Sequence, residues 1–116
     1  MRHPPTVPAD NSGSVDVTPP FSMKLMHGGG TMFVLIRMAP GTRADMHVSD
    51  TIDYITIISG TMVLEVESGE EVPLTPGTLC IDRGVPHAWR NDGPDEVVYT
   101  VVTVPAVPVG KRAKAL

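Results

Sequence analysis

A chain of 116 residues has room for one hydrophobic core and little more. Its formal net charge of -4 excludes the strongly basic surface that nucleic-acid binding needs. The single cysteine, Cys80, excludes an internal disulfide, and the longest apolar run, Val97 to Val109, is too short and too rich in threonine and proline for a membrane span.

Residues 1–20 are rich in proline, serine and aspartate, lack periodicity, and read as an extended N-terminal arm. They lack the apolar core of a signal peptide, so a cytoplasmic location is expected. "SMKLMH" is a weak strand closed by Gly28, Gly29 and Gly30. "TMFVLIRM" is a strong strand candidate ending at Pro40-Gly41. "ADMHVS" is a short one. "YITIIS" and "TMVLEVE" flank Gly60, and in the second Met62, Leu64 and Val66 share a face. "SGEE" makes a hairpin turn into "EVPL". Pro76-Gly77 then leads to "TLCID", and Arg83-Gly84 to "HAWR", the turn "NDGPDE" and "VVYTVVTV". Many short strands between turn signals, with no helical period, predict an all-β barrel or sandwich. The expected division is an arm over 1–20, a barrel over 21–108 and a flexible tail over 109–116.

Two segments carry the chemistry. "PGTRADMHVSDTIDYITIISG" places Gly41, five residues, His47-Val48-Ser49, then Asp53, six residues, and Gly60. "PGTLCIDRGVPHAWRN" runs from Gly77 to Gly84-Val85-Pro86-His87-Ala88-Trp89-Arg90-Asn91. Together, over about residues 31–104, they resemble the two motifs of the cupin superfamily. They resemble in particular its small single-domain members with His-x-(Ser/Thr)-Asp-Thr-x-Asp-Tyr and Arg-Gly-x-x-His-Ala-Trp-x-Asn. The resemblance implies a jelly-roll β-barrel, usually a homodimer whose N-terminal arm crosses to the partner. It also marks His47, Asp53 and His87 as the matched site residues. Metal-binding members carry a second histidine where this chain has Ser49 and a glutamate where it has Asp53.

Two readings of that trio stay open. As ligands, two histidines and a carboxylate suit a divalent metal such as Fe, Mn or Zn. The shorter aspartate and the serine weigh against it, because metal–ligand distances tolerate only about 0.2 Å. As acid–base groups, the imidazoles titrate near neutrality and can move a proton beside a carbonyl. Side chains two apart on a strand share a face, so His87 is expected to point inward with Trp89, and Asp53 with Ile55 and Ile57.

The expected interior is mainly apolar, with Met38, Met62, Ile55 and Trp89 lining a substrate site and Arg83 at its rim for an acidic group. Asp82 and Arg83 alternatively form an exposed pair of small worth. Asn91 is assigned to the turn after its strand, Tyr54 to the barrel exterior, and Cys80 to the core as a small hydrophobe. The runs "TMFVLIRM" and "VVYTVVTV" are read as edge strands whose apolar character calls for a dimer partner.

The function expected is that of a lyase or isomerase dehydrating or decarboxylating a flat, apolar, oxygenated acid of polyketide-like or aromatic type. An Fe(II)- or Mn(II)-dependent oxygenase and a non-enzymatic ligand-binding module are the alternatives.

Overall fold

The computed structural model describes residues 30–107. The expected arm, the "SMKLMH" strand and the C-terminal tail lie outside them. Eight strands follow in chain order: β1 (Met32–Met38), β2 (Arg43–His47), β3 (Thr51–Ser59), β4 (Met62–Val66), β5 (Glu71–Leu74), β6 (Leu79–Asp82), β7 (His87–Arg90) and β8 (Val97–Pro105). Most form where β-branched and large apolar residues alternate between turn signals; β2 (RADMH) and β7 (HAWR) have no β-branched residue and pair with one another. β3 begins at Thr51, three residues earlier than the apolar run suggests, so Asp53 sits within a strand and caps no turn.

The strands form two antiparallel four-stranded sheets, ordered β1-β8-β3-β6 and β2-β7-β4-β5. β8 is therefore interior to its sheet, paired with both β1 and β3. This corrects its assignment as an edge; among the described strands only β1 and β6 bound that sheet. Antiparallel pairing lets a strand with two solvent-facing neighbours read as strongly apolar when its outer face is also apolar.

The sheets face one another across a core of Met38, Ile55, Ile57, Met62, Leu74, Trp89, Val97, Tyr99 and Val101. Met62 and Val97 are wholly buried, and each side chain of this size stabilises by about 1.5–3 kcal/mol on leaving water. Cys80 packs against this core, half-buried, and burial, helped by the Asp82 charge, pushes its thiol pKa up.

Two devices fix the chain ends of the strands. Asn91, 1% exposed, donates through Nδ2 to the carbonyls of Met38 (2.8 Å) and Asp95 (2.9 Å) and accepts from the Gly93 amide at 2.8 Å. It holds the turn after β7, as its sequence position suggests. Gly60 turns β3 into β4 with a φ of +76°. A Cβ there would lie 2.5 Å from the Glu96 carbonyl oxygen, so the position needs glycine twice over.

The outer faces of the two sheets differ. That of β2-β7-β4-β5 is charged: Arg43 pairs with Glu65 at 3.0 Å, and Arg90 forks onto Glu71 at 2.9 and 3.1 Å. That of β1-β8-β3-β6 is mainly apolar, with Arg37 at one end paired with Glu96 at 3.1 Å. Phe33, Val102, Tyr54 and Ile81 form one cross-strand row; Leu35, Thr100, Thr56 and Leu79 form the next. Phe33, Leu35, Tyr54, Leu79 and Ile81 are all exposed.

Candidate functional site

Cross-strand partners share a face, so the register can be read as rows. On the inner face of the β1-β8-β3-β6 sheet one row runs Met32, Thr103, Asp53, Asp82. Thr103, Asp53 and Asp82 are all buried. The next row, Val34, Val101, Ile55, Cys80, is apolar. The interior thus has a polar end and a dry end, and the polar end meets the histidines of the opposite sheet.

His87 opens β7 and is 2% exposed. Its Nδ1 lies 2.7 Å from Asp82 Oδ2 and 2.8 Å from the Val85 carbonyl oxygen. A carbonyl can only accept, so Nδ1 carries the proton and the neutral ring keeps its lone pair on Nε2. Burial pulls the His87 pKa down; the Asp82 hydrogen bond, the Val85 carbonyl and the charges of Asp82 and Asp53 outweigh it, and the net direction is up. The imidazolium form is thereby favoured.

His47 reaches the same place by a bulge. Ala44 is the partner of Trp89, and His47 the partner of His87, so β2 spends one residue more than β7 between the two pairs. The extra residue reverses the alternation and turns His47 to the face that carries His87. Their ring centroids are 4.4 Å apart at an interplanar angle of 60°. His47 is exposed, at the mouth, and donates from Nδ1 to the Asp45 carbonyl at 2.7 Å, which again leaves Nε2 as the unprotonated nitrogen. Trp89 packs edge-on to His87, centroids 5.1 Å apart. No hydrogen bond to a described residue engages either Nε2.

Of the residues expected at the site, His47, His87 and Trp89 come together, with Asp53 one strand from Asp82 and Ile55 one row below. Asp53 Oδ1 accepts from the Thr51 hydroxyl at 2.8 Å. Met38 and Met62 are core residues away from this end. Met38 is six positions along β1 from the polar row, about 20 Å at strand rise, and Met62 is four positions along β4 from the partner of His87. Arg83 is exposed in the loop between β6 and β7.

Asp82 was expected in an exposed pair with Arg83. It is instead 7% exposed and bonded to His87. Leu79 and Ile81 alternate with Cys80 and Asp82, and Cys80 packs against the core as its sequence position suggests. Leu79 and Ile81 point out, and Asp82 points in. Thr103, equally unforeseen, is 4% exposed and its hydroxyl is the one buried side-chain polar atom among the described residues without a hydrogen-bond partner.

The side chains do not fit a resident divalent metal. Among the described residues no three His, Cys, Asp or Glu side chains are grouped to hold an ion. One Asp53 oxygen serves Thr51 and one Asp82 oxygen serves His87.

The Cupin domain model of the cupin family matches residues 34–103. The chain belongs to the cupin family. It is similar to a cupin-domain-containing oxidoreductase, srdB, of Neurospora crassa, 31% identical over 90% of this chain and 56% of that protein. It is also similar to Oryzines biosynthesis cluster protein J of Aspergillus oryzae, 36% identical over 63% of this chain and 38% of that one. The chain thus spans about half or less of these curated relatives. Among solved structures, a double-stranded beta-helix domain protein from Klebsiella pneumoniae superposes with a TM-score of 0.61 at 25% identity, over 71% of this cupin and 73% of its own chain. The polyketide cyclase RemF of Streptomyces resistomycificus shares the fold, with a TM-score of 0.59 at 20% identity over 63% of this chain and 53% of RemF.

Proposed function

We propose that this cupin is a small-molecule enzyme of secondary metabolism, a lyase or isomerase that moves a proton on a flat oxygenated acid at the polar end of the barrel. The buried Asp82–His87 pair at 2.7 Å carries the reading. Asp82 and Val85 hold Nδ1, and Nε2 is left to act. It takes a proton from the carbon beside a substrate carbonyl, and the imidazolium so formed is stabilised by Asp82. For a β-hydroxy acid the same proton passes to the β-hydroxyl: the C–H and C–O bonds break, a C=C bond forms, and water leaves. His47, in the same space and closer to solvent, exchanges the proton with bulk water. Such positioned proton transfer contributes about 10²–10⁴-fold to a rate. Relatives named for biosynthesis clusters support small-molecule chemistry.

The test is turnover. The purified chain is incubated in D2O with β-hydroxy and β-keto acids of polyketide and aromatic type, and α-deuterium and product are followed by NMR. His87→Gln is expected to lose at least 10²-fold and His47→Ala less. Equal turnover by wild type and both variants removes the reading.

The printed name of the srdB relative, an oxidoreductase, favours redox chemistry on the same scaffold as the second reading; it ranks below the first because the Fe or Mn it was expected to use finds no three-ligand group among the described side chains. Elemental analysis after reconstitution decides it, since a protein that takes up no metal excludes that reading.

Assembly as a homodimer through the apolar face of the β1-β8-β3-β6 sheet completes the proposal. Monomers rarely expose a contiguous apolar patch beyond a few hundred Å². The two rows described above carry no charged side chain, while the opposite sheet's outer face is laced with ion pairs. An isologous contact of this face with itself covers Phe33, Leu79 and Ile81 in both copies.

A further inference from the structure

Proton transfer at His87 requires Nε2 to meet a substrate, yet the residue is 2% exposed. Its surroundings show from which side it can be reached. Asp82 and the Val85 carbonyl sit at Nδ1, so Nε2 lies on the other side of the ring. Two rings pack against this imidazole. Trp89, with centroids 5.1 Å apart, is itself buried. His47, at 4.4 Å, is exposed. Of the two, His47 is the one that stands between His87 and solvent.

His47 is also loosely seated. β2 lies at the edge of its sheet and pairs only with β7. Four of its five residues are exposed. The bulge falls between Ala44 and His47, and a bulge interrupts the ladder of backbone bonds. Among the described residues the ring has one hydrogen bond, from Nδ1 to the Asp45 carbonyl two residues back. That bond ties the ring to its own strand, whereas His87 is held from the opposite sheet by Asp82. When the His47 ring turns outward, water replaces the Asp45 carbonyl as its partner, so the turn leaves no buried polar group unpaired.

We propose that His47 is the gate of the site: its ring closes off His87 Nε2 at rest and swings outward to admit the substrate. This rests on the acid–base reading of the polar end and adds the access step to it. Exposed side chains change rotamer within nanoseconds, so the gate is fast beside chemistry. The same motion gives proton exchange its carrier, a ring that leaves His87 for solvent and returns. What enters takes the place of an imidazole, so a flat end of the substrate goes in first.

The experiment is acylation of the full chain with diethyl pyrocarbonate, which modifies an unprotonated imidazole nitrogen that it can reach. Initial rates at His47 and His87 are read by peptide mass spectrometry at about pH 8, above the ordinary imidazole pKa. A gate open for about 0.1–10% of the time slows the reagent at His87 by at least about tenfold. In wild type His47 is therefore expected to react at least about tenfold faster than His87. His47→Ala removes the gate and is expected to speed His87 by at least about tenfold. His47→Phe keeps a flat ring in the same place and is expected to leave His87 slow. Alkylation of the half-buried Cys80 is expected to keep its wild-type rate in both variants. The gate is overturned if His87 reacts as fast as His47 in wild type, or no faster in His47→Ala than in His47→Phe. It is also overturned if Cys80 speeds up in step with His87, because the barrel as a whole has then loosened. Acylation as expected in a protein that turns nothing over sinks the acid–base reading and leaves the gate standing.

Discussion

His87 Nδ1 lies 2.7 Å from Asp82 Oδ2, an ion-pair contact with both side chains buried. The contact joins the last residue of β6 to the first of β7, across the gap between the two sheets. It is the point at which the fold and the proposed chemistry are the same contact.

Asp82→Asn tests what that contact does. The Val85 carbonyl still accepts from Nδ1, so the tautomer survives and the ring stays oriented. What is lost is the negative charge that favours the imidazolium. We expect kcat to fall about 10–10²-fold, less than for His87→Gln. The His87 pKa is expected to fall below its wild-type value, as read by NMR titration of the ring nitrogens. A wild-type pKa in the variant would show that Asp82 does not set it.

The same contact makes stability depend on pH. The folded-state pKa of His87 is raised above its ordinary value of 6.5. Its contribution is therefore fully present below pH 6.5 and fades as pH climbs through the raised value. Urea denaturation of wild type and Asp82→Asn should show the widest gap in unfolding free energy at the acid end of that window and a narrower one above it. A gap that widens with rising pH would reverse the assigned sign.

Asn91 should be among the costliest polar residues to change. Asn91→Ala leaves two buried carbonyls and one amide without a side-chain partner, and a loss of about 3 kcal/mol is expected. Asn91→Asp should be worse despite its closer shape. It can still accept from Gly93, but it sets a carboxylate against the carbonyls of Met38 and Asp95. Equilibrium unfolding ranks the two, and an aspartate variant more stable than the alanine one contradicts the bonding described.

Two glycines with the same backbone twist should respond differently. Gly60 and Gly77 have φ of +76° and +85°. Around Gly77 a Cβ meets nothing within 4 Å, whereas at Gly60 it strikes Glu96 and Val97. Gly77→Ala is expected to cost about 1–2 kcal/mol, the left-handed penalty alone, and Gly60→Ala more. Thermal melts of the pair decide it, with equal shifts counting against the close approach at Gly60.

The apolar sheet face is tested by sedimentation. Leu79→Lys places a charge on its β6 edge, on an exposed side chain. We expect the wild-type chain to sediment as a dimer and the variant as a folded monomer with an unchanged circular dichroism spectrum. A variant that stays dimeric moves the interface elsewhere, and a monomeric wild type removes it.

The sequence by itself determined the strands, the turns between them and the family motifs. It also singled out His47, His87 and Asp53, because alternation, Pro-Gly turns and motif spacing are local properties of the chain. It could not tell which face of a strand lies inside. Period-2 alternation says only which side chains share a face, and where the outer face is apolar too, as at Leu79 and Ile81, the pattern does not by itself decide which face is buried. The tertiary structure alone turned Asp82 and Thr103 inward, and a one-residue bulge in β2 brought His47 beside His87. Each of these depends on pairing with a strand distant in sequence, and register across such pairs is fixed by packing of the whole barrel.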